Sequence, residues 1–361
     1  MKALILAGGF GTRLRPLSCT RPKILFPILN KPLLQWTLER LAQNGINEVI
    51  LAVNYQTEFY IKNSKIPKNG MKIAYSRDPP TKPLGTGGPI KNAQKFIGFE
   101  PLMVINGDIF TEINYKEILK AHEEKNAVAT IALHRVEEPS KYGVAELTNN
   151  NRIKKFIEKP PKGTAPTNLI NAGVYVLNTE IFNRIPKGQK LSIEREIFPK
   201  LAEEGKLYGY IFNGLWRDIG ETDDYLEINK ILLDSFSKKQ KHKIMDKVKV
   251  KKPIAFARGV SVGKESIIGP NVILGQNVNV GSNVRIKNSV IFPRVVISDF
   301  SSLNGAVIGE GVAIGRGVKI SEGCVIGDYA VIRDNVSLAK GVSVCPVKEV
   351  CESVLTAKCI I

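Results

Sequence analysis

The run Leu6-Ala7-Gly8-Gly9-Phe10-Gly11-Thr12-Arg13-Leu14-Arg15-Pro16 has the composition of a phosphate-binding loop. Gly8, Gly9 and Gly11 let the backbone come close to a phosphate chain and offer it N–H groups. Arg13 and Arg15 follow, and guanidinium groups hold phosphate oxygens two at a time. Lys23, in Arg21-Pro22-Lys23, is spaced to counter further phosphate charge. The loop lacks the GK[ST] of a Walker A motif and the third glycine of the dinucleotide fingerprint. An excess of 52 Lys and Arg over 34 Asp and Glu, a net charge of +18, suits substrates that are polyanions, because it raises their encounter rate.

Other polar groups downstream gain meaning only as a set. Asp108 after Asn106-Gly107 would by itself be a cap or turn residue. Glu158-Lys159 alone would be an exposed ion pair of little value, and Trp216 reads as core. Their order along the first 220 or so residues is different in kind. The stretch GGxGTRLRPL followed by RPK, with Pro27 and Asn30-Lys31-Pro32, resembles the signature of the sugar nucleotidyltransferases. Pro83-Leu84-Gly85-Thr86-Gly87-Gly88-Pro89 is similar to that family's nucleobase loop, and Asn106-Gly107-Asp108 to its metal-binding strand end. The segments around Gly143, Glu158-Lys159 and Asn171 resemble its sugar-binding segments, and Leu215-Trp216-Arg217-Asp218-Ile219-Gly220 the strand with the second metal-binding carboxylate. EEPSKYGV, SIEREIFPKLAEEGKLYG and NGLWRDIG bring the resemblance closest to mannose-1-phosphate guanylyltransferases.

The resemblance implies a reaction in which a sugar 1-phosphate attacks the α-phosphorus of a nucleoside triphosphate and displaces pyrophosphate. It implies Asp108 and Asp218 as ligands of one Mg²⁺, and Arg13 and Lys23 as the catalytic cations. Leu6, Ala7, Gly8, Gly9, Gly11, Thr12, Arg13 and Lys23, with Leu84, Gly85 and Thr86, would bind the nucleotide. Asn106, Gly107, Gly143, Glu158, Lys159 and Asn171 would bind the sugar phosphate. GTP and mannose 1-phosphate are the favoured pair. Glucose 1-phosphate with UTP or dTTP is the alternative, and a catalytically inactive regulatory subunit is the rival of another class.

Two hydrophobic periods have to position these residues. Up to residue 236, strand-like segments (2–7, 48–53, 71–76, 101–105, 127–133) alternate with helix-like ones (33–44, 115–124). That alternation predicts a Rossmann-like α/β domain with a mostly parallel sheet, which binds ligands beyond the carboxyl ends of its strands. From residue 253 to 361 an apolar residue recurs every six residues, as in Val262, Ile268, Leu274, Val280, Ile286 and Phe292. The period resumes at Ile308 after an irregular stretch over 293–304. Hexapeptide repeats predict a left-handed parallel β-helix, a coil whose flat faces suit homo-oligomer formation. Residues 237–252 read as a lysine-rich linker, with eight lysines between 238 and 252.

Lysines spread along the chain, without an aromatic-plus-basic motif, exclude nucleic acid as the expected partner. The first apolar run ends at Gly8-Gly9, too short for a signal peptide, and no stretch reaches the ~20 residues of a membrane span, so the expected location is the cytoplasm. Five irregularly spaced cysteines suggest neither a disulfide framework nor a zinc site. His122, His134 and His242 all lie outside the repeats, which makes a second, acyl-transferring centre in the β-helix unexpected.

Overall fold

The computed structural model describes residues 1–9, 11–67, 70–79, 83–237 and 248–361; Phe10 and most of the lysine-rich linker lie outside them. The described residues fall into two compact units that do not follow chain order. One takes Met1–Gly9 and Leu34–Asp218, the other Phe10–Leu33 and Ile219–Ile361.

The first unit is built on a nine-stranded sheet. In chain order its main elements are β1 (Lys2–Leu6), α1 (Leu33–Gln43), β2 (Glu48–Val53), α2 (Tyr55–Asn63), β3 (Lys72–Arg77), α3 (Gly87–Ala93), β4 (Leu102–Asn106), β5 (Ile109–Thr111), α4 (Tyr115–Lys125), β6 (Ala129–Arg135), β7 (Gly143–Leu147), β8 (Ile153–Glu158), β9 (Leu169–Leu177), β10 (Leu207–Ile211) and β11 (Trp216–Asp218), with short helical turns over Ile181–Arg184 and from Ile193 to Glu203. Continuous apolar runs in β1, β2 and β4 are buried on both faces, as parallel strands under helices require. In α1, Leu34, Leu38 and Leu41 form one buried stripe, and the chain leaves the helix through Gly45 at φ 79°, the expected terminator.

Strands β3, β2, β1 and β4 lie side by side and parallel. The chain starts at β1, winds outward to β3, then returns to the other side of β1 at β4. This reversal is a topological switch point, where crevices open beyond the strand ends. Beyond β4 the sheet is mixed: β9 runs antiparallel to β4 and β6, and β10 lies parallel to β6.

The second unit contains the β-helix and α5 (Thr222–Ser237). Three parallel sheets of six, seven and six strands form the faces of the coil. Val262, Val280, Ile297, Ile314, Ile332 and Val350 stack in one sheet, and Ile268, Ile286, Leu303, Ile320 and Leu338 in another. In the third sheet, however, Ile291 rather than Phe292 pairs with Leu274 and Ile308. The register expected from the sequence therefore slips by one residue there. It slips again at Ile308, five residues after Leu303. Asn288 (φ 51°) and Gly305 (φ 65°) turn these two tightened corners in the left-handed region. Between them the six-residue period persists through Ile291, Ile297 and Leu303, so the stretch that reads as irregular is a regular coil displaced by one. Displaced from the interior, Phe292 sets its ring edge-on to Phe26 and to Tyr225 of α5.

Ile291→Ala is accordingly expected to lose about 2–5 kcal/mol of stability, the range for a core isoleucine, in chemical denaturation. A loss below about 1 kcal/mol would place residue 291 outside the stack.

Candidate functional site

Adjacency of β1 and β4 brings several candidates to one edge of the sheet. Leu6 pairs with Asn106 and with Ala52. Beyond the strand end, Gly107 N–H donates to Leu6 O (2.9 Å), and Ala7 N–H to Ala52 O (2.8 Å). Asn54, which caps α2, donates to Gly8 O at 3.3 Å. Gly9 has open space around its Cα, so a phosphate can approach there.

Asp108 follows β4 and precedes β5. β11 pairs antiparallel with β5, and Asp218 stands opposite Ile109, the residue after Asp108. Two half-buried carboxylates from distant parts of the sequence thus sit on neighbouring backbone positions. Among the described residues no group of three or more His, Cys, Asp or Glu could hold a metal by itself. A pair of carboxylate donors fits a hard divalent cation that completes its shell with substrate oxygens and water. Trp216, as expected, is core: it is buried and its indole N–H donates to Ala172 O at 2.9 Å.

The expected sugar segments meet across strands. Gly143 pairs with Glu158, and a Cβ on Gly143 would lie 2.7 Å from Glu158 Oε2 and 2.5 Å from the Phe156 ring, so a larger residue would displace these side chains. Burial and the neighbouring Glu194 push the Glu158 carboxyl above its usual range, against the opposing charge of Lys159. Lys159 ends the strand at φ 51°. In β9 a register shift follows Asn171, whose amide donates to Tyr175 Oη (3.0 Å) and accepts from Gly173 N–H (2.9 Å). The bulge presses Gly173, at φ 73°, against Asn106, where a Cβ would meet Nδ2 at 2.8 Å. Asn106 Oδ1 is buried with no hydrogen-bond partner among the described residues.

Leu84, Gly85 and Thr86 form a loop braced from behind. Gly85 (φ 70°) lies so close to Leu191 that a Cβ would come within 2.4 Å of its carbonyl oxygen. The Thr86 hydroxyl donates to Glu194 Oε2 at 2.5 Å and accepts from Ile193 N–H at 3.0 Å. Its side chain is therefore committed inward, and the loop presents backbone.

Glu194 was not legible as a site residue. It is buried, accepts from Thr86, Ser192 (2.7 Å) and Tyr175 (3.4 Å), and so links the base loop to the sugar strand. Its signal is positional: Ile197, Phe198 and Leu201, at three, four and seven residues on, are all buried, so a carboxylate occupies an apolar stripe. Asp78 is the second addition. It follows β3, receives a hydrogen bond from Asn92 at 3.4 Å, and its Oδ2 lies 3.4 Å from where a Cβ on Gly8 would stand. Burial raises its carboxyl above the usual range, with Asn92 opposing.

Gly11, Thr12, Arg13 and Lys23 belong to the second unit. Gly11 (φ 57°) opens a tight helical turn over Thr12–Leu14, and its carbonyl accepts from Ser18 Oγ at 2.7 Å. The space beside its Cα is bordered by the Cβ of Lys23 at 3.5 Å, which puts both candidates in one loop. Arg13 makes an exposed ion pair with Glu221 at 3.6 Å, weak enough for a phosphate to replace.

The nucleotidyl transferase family profile matches residues 2–235, and the GMPPB C-terminal domain profile residues 250–360. The chain belongs to the nucleotidyl transferase family. Mannose-1-phosphate guanylyltransferase 1 of Arabidopsis thaliana is 41% identical over 248 residues, 68% of each chain. The mannose-1-phosphate guanyltransferase of Saccharomyces cerevisiae is 40% identical over 250 residues, again 68% of each. This nucleotidyl transferase is an enzyme of the mannose-1-phosphate guanylyltransferase type. Among solved structures, HddC from Yersinia pseudotuberculosis superposes with a TM-score of 0.56 at 30% identity, covering 64% of this chain and 99% of HddC. HddC has also been solved in complex with GMP-PN.

Glu194→Gln keeps the size of the side chain but removes its charge. It is expected to lower kcat/KM by about tenfold or more, with an unchanged far-UV circular dichroism spectrum. Wild-type kinetics would show that the link between base loop and sugar strand is dispensable.

Proposed function

We propose that this chain transfers the guanylyl group of GTP to mannose 1-phosphate, forming GDP-mannose and pyrophosphate. The observation that carries the reaction is the placement of Asp108 and Asp218 side by side, next to the glycine loop at the β1–β4 switch point. An oxygen of the sugar phosphate attacks the α-phosphorus in line. The bond from that phosphorus to the bridging oxygen of the β-phosphate breaks, and pyrophosphate leaves with the electron pair. Both reactants are anions, so the barrier is chiefly repulsion and orientation, and no side chain need form a covalent bond.

Asp108 and Asp218 would hold Mg²⁺, which when bound offsets negative charge on the phosphate oxygens. The amides of Gly8, Gly9 and Gly11 take the nucleotide phosphates, and Arg13 and Lys23 counter the charge that develops on the departing pyrophosphate. Leu84–Thr86 meets the base through its backbone. Glu158 and Asn171 accept from and donate to the sugar hydroxyls, Gly143 adds a backbone contact, and Lys159 holds the sugar phosphate with Asn106 and Gly107 nearby. The catalytic portion is residues 1–236, the β-helix 253–361, and 237–252 joins them.

Guanine is favoured by Asp78. The N1–H and N2–H groups of guanine point side by side and can both donate to one carboxylate, whereas uracil and thymine flank their single N–H with carbonyls. The names of the relatives support the same base and supply the sugar. No helix among the described residues is long and apolar enough to cross a membrane, and we assign the enzyme to the cytoplasm. Exposed Val347 and Leu355 on the β-helix support self-association through that domain.

Asp218→Asn is expected to abolish Mg²⁺-dependent pyrophosphate release while the thermal midpoint stays within a few degrees; near-normal turnover would remove Asp218 from the site. In the same assay Asp78→Asn is expected to erase most of the preference for GTP over ITP, which lacks the N2 amino group. A retained preference would move base recognition elsewhere.

A further inference from the structure

The signature segment, Phe10–Leu33, groups with the β-helix, and its described part is fastened there along its second half. Arg21 is 15% exposed, pairs with Glu310, lies 3.5 Å from Asp328 Oδ2, and stacks its guanidinium 5.1 Å above the Phe292 ring. Thr20 donates to the same Asp328 oxygen at 2.7 Å. Phe26 packs edge-on against Phe292 and Tyr225, and the Tyr225 hydroxyl donates to Pro27 O. Asn30 donates to Leu274 O at 3.1 Å. Leu29 is held at φ 47°, a conformation unfavourable to a leucine, with its N–H donating to Asn229 Oδ1 at 3.0 Å.

These contacts exceed what the coil itself requires. Asp299, Asp328 and Asp334 occupy equivalent corners, and each uses Oδ1 to accept a backbone N–H of a neighbouring coil: Ser282 at 2.7 Å, Glu310 at 2.7 Å and Arg316 at 2.8 Å. Corner capping thus accounts for one oxygen of Asp328, and the signature segment takes the other. Glu310 is likewise shared with Arg294, which also donates to Tyr329 Oη at 3.1 Å. Burying such an ion-pair cluster gives little net stability compared with apolar packing. What it does give is a defined position for the segment that contains Arg13 and Lys23.

We propose that Asp328 and Glu310 are positioning residues for catalysis: by gripping Thr20 and Arg21 they fix the signature segment, so the β-helix works as the platform of the phosphate-binding cations. This rests on the nucleotidyl-transfer reading. It also gives any event on the β-helix, assembly included, a physical route to the catalytic segment.

The experiment compares Asp328→Asn with Asp334→Asn, the same substitution at an equivalent corner without a signature contact. For Asp328→Asn, kcat should fall and Kd for Mg·GTP by calorimetry should rise, each by about tenfold or more, while KM for mannose 1-phosphate changes little. Asp334→Asn should behave as wild type in all three. Thr20→Val combined with Asp328→Asn should be no worse than Asp328→Asn alone, because both remove the hydrogen bond from Thr20 to Asp328 Oδ2. Equal effects of Asp328→Asn and Asp334→Asn, or additive losses in the double variant, would overturn the proposal. Should the wild type release no pyrophosphate, the nucleotidyl-transfer reading fails separately. In that case calorimetry with Mg·GTP still decides: a Kd that rises for Asp328→Asn alone supports positioning, and equal Kd values refute it.

Discussion

Parallel strands end on the same edge, and where the winding direction reverses the two neighbouring ends stand apart from the crossover connections. In this chain those neighbours are β1 and β4. The placement of the first glycines and of the paired aspartates follows from that adjacency. Gly8 and Gly9 leave one strand, Asn106, Gly107 and Asp108 leave the other, and the short β5–β11 ladder then brings Asp218 next to Asp108. No long flexible side chain is needed to gather these groups, because backbone hydrogen bonds set their spacing.

A single polar thread ties the specificity elements to this edge. It runs from Asn106 to Gly173 and Asn171 in the β9 bulge, through Tyr175 to Glu194, and on to Thr86 in the base loop. Tyr175 and Glu194 are buried, and Asn171, Tyr175, Glu194 and Thr86 are hydrogen-bonded in series, so moving one strains its neighbours. Base loop and sugar strand are thereby held in one arrangement before any substrate arrives, and the entropy of ordering them is spent in folding. The cationic segment is held differently. It is anchored to a coil whose repeat geometry offers a rigid row of corners, and one of those corners contributes a second aspartate oxygen.

Much of this was legible in the sequence, for identifiable reasons. Glycines at 8, 9 and 11 and the six-residue period are local features that survive without knowledge of the fold, whereas Asp108 and Asp218 gained a role only through the resemblance of the whole series of motifs. What escaped was set by tertiary packing. Phe292 obeys the hexapeptide count, yet Asn288 shortens the corner and hands its place to Ile291. Glu194 resembles any helical glutamate until the burial of its stripe is known. Asp78 becomes relevant only because β3 ends beside Gly8. That Arg21 faces Glu310 and Asp328 links residues far apart in the chain, and nothing in the spacing of either motif announces it.

The central claim is that glycine amides, two cationic side chains and a divalent cation held by a pair of aspartates overcome the repulsion between two phosphorylated substrates. Its most direct test is pyrophosphate release by the purified protein with Mg²⁺, across a panel of nucleoside triphosphates and hexose 1-phosphates. The account predicts release that requires both substrates and is fastest with GTP and mannose 1-phosphate. Absence of pyrophosphate from every pairing would contradict it.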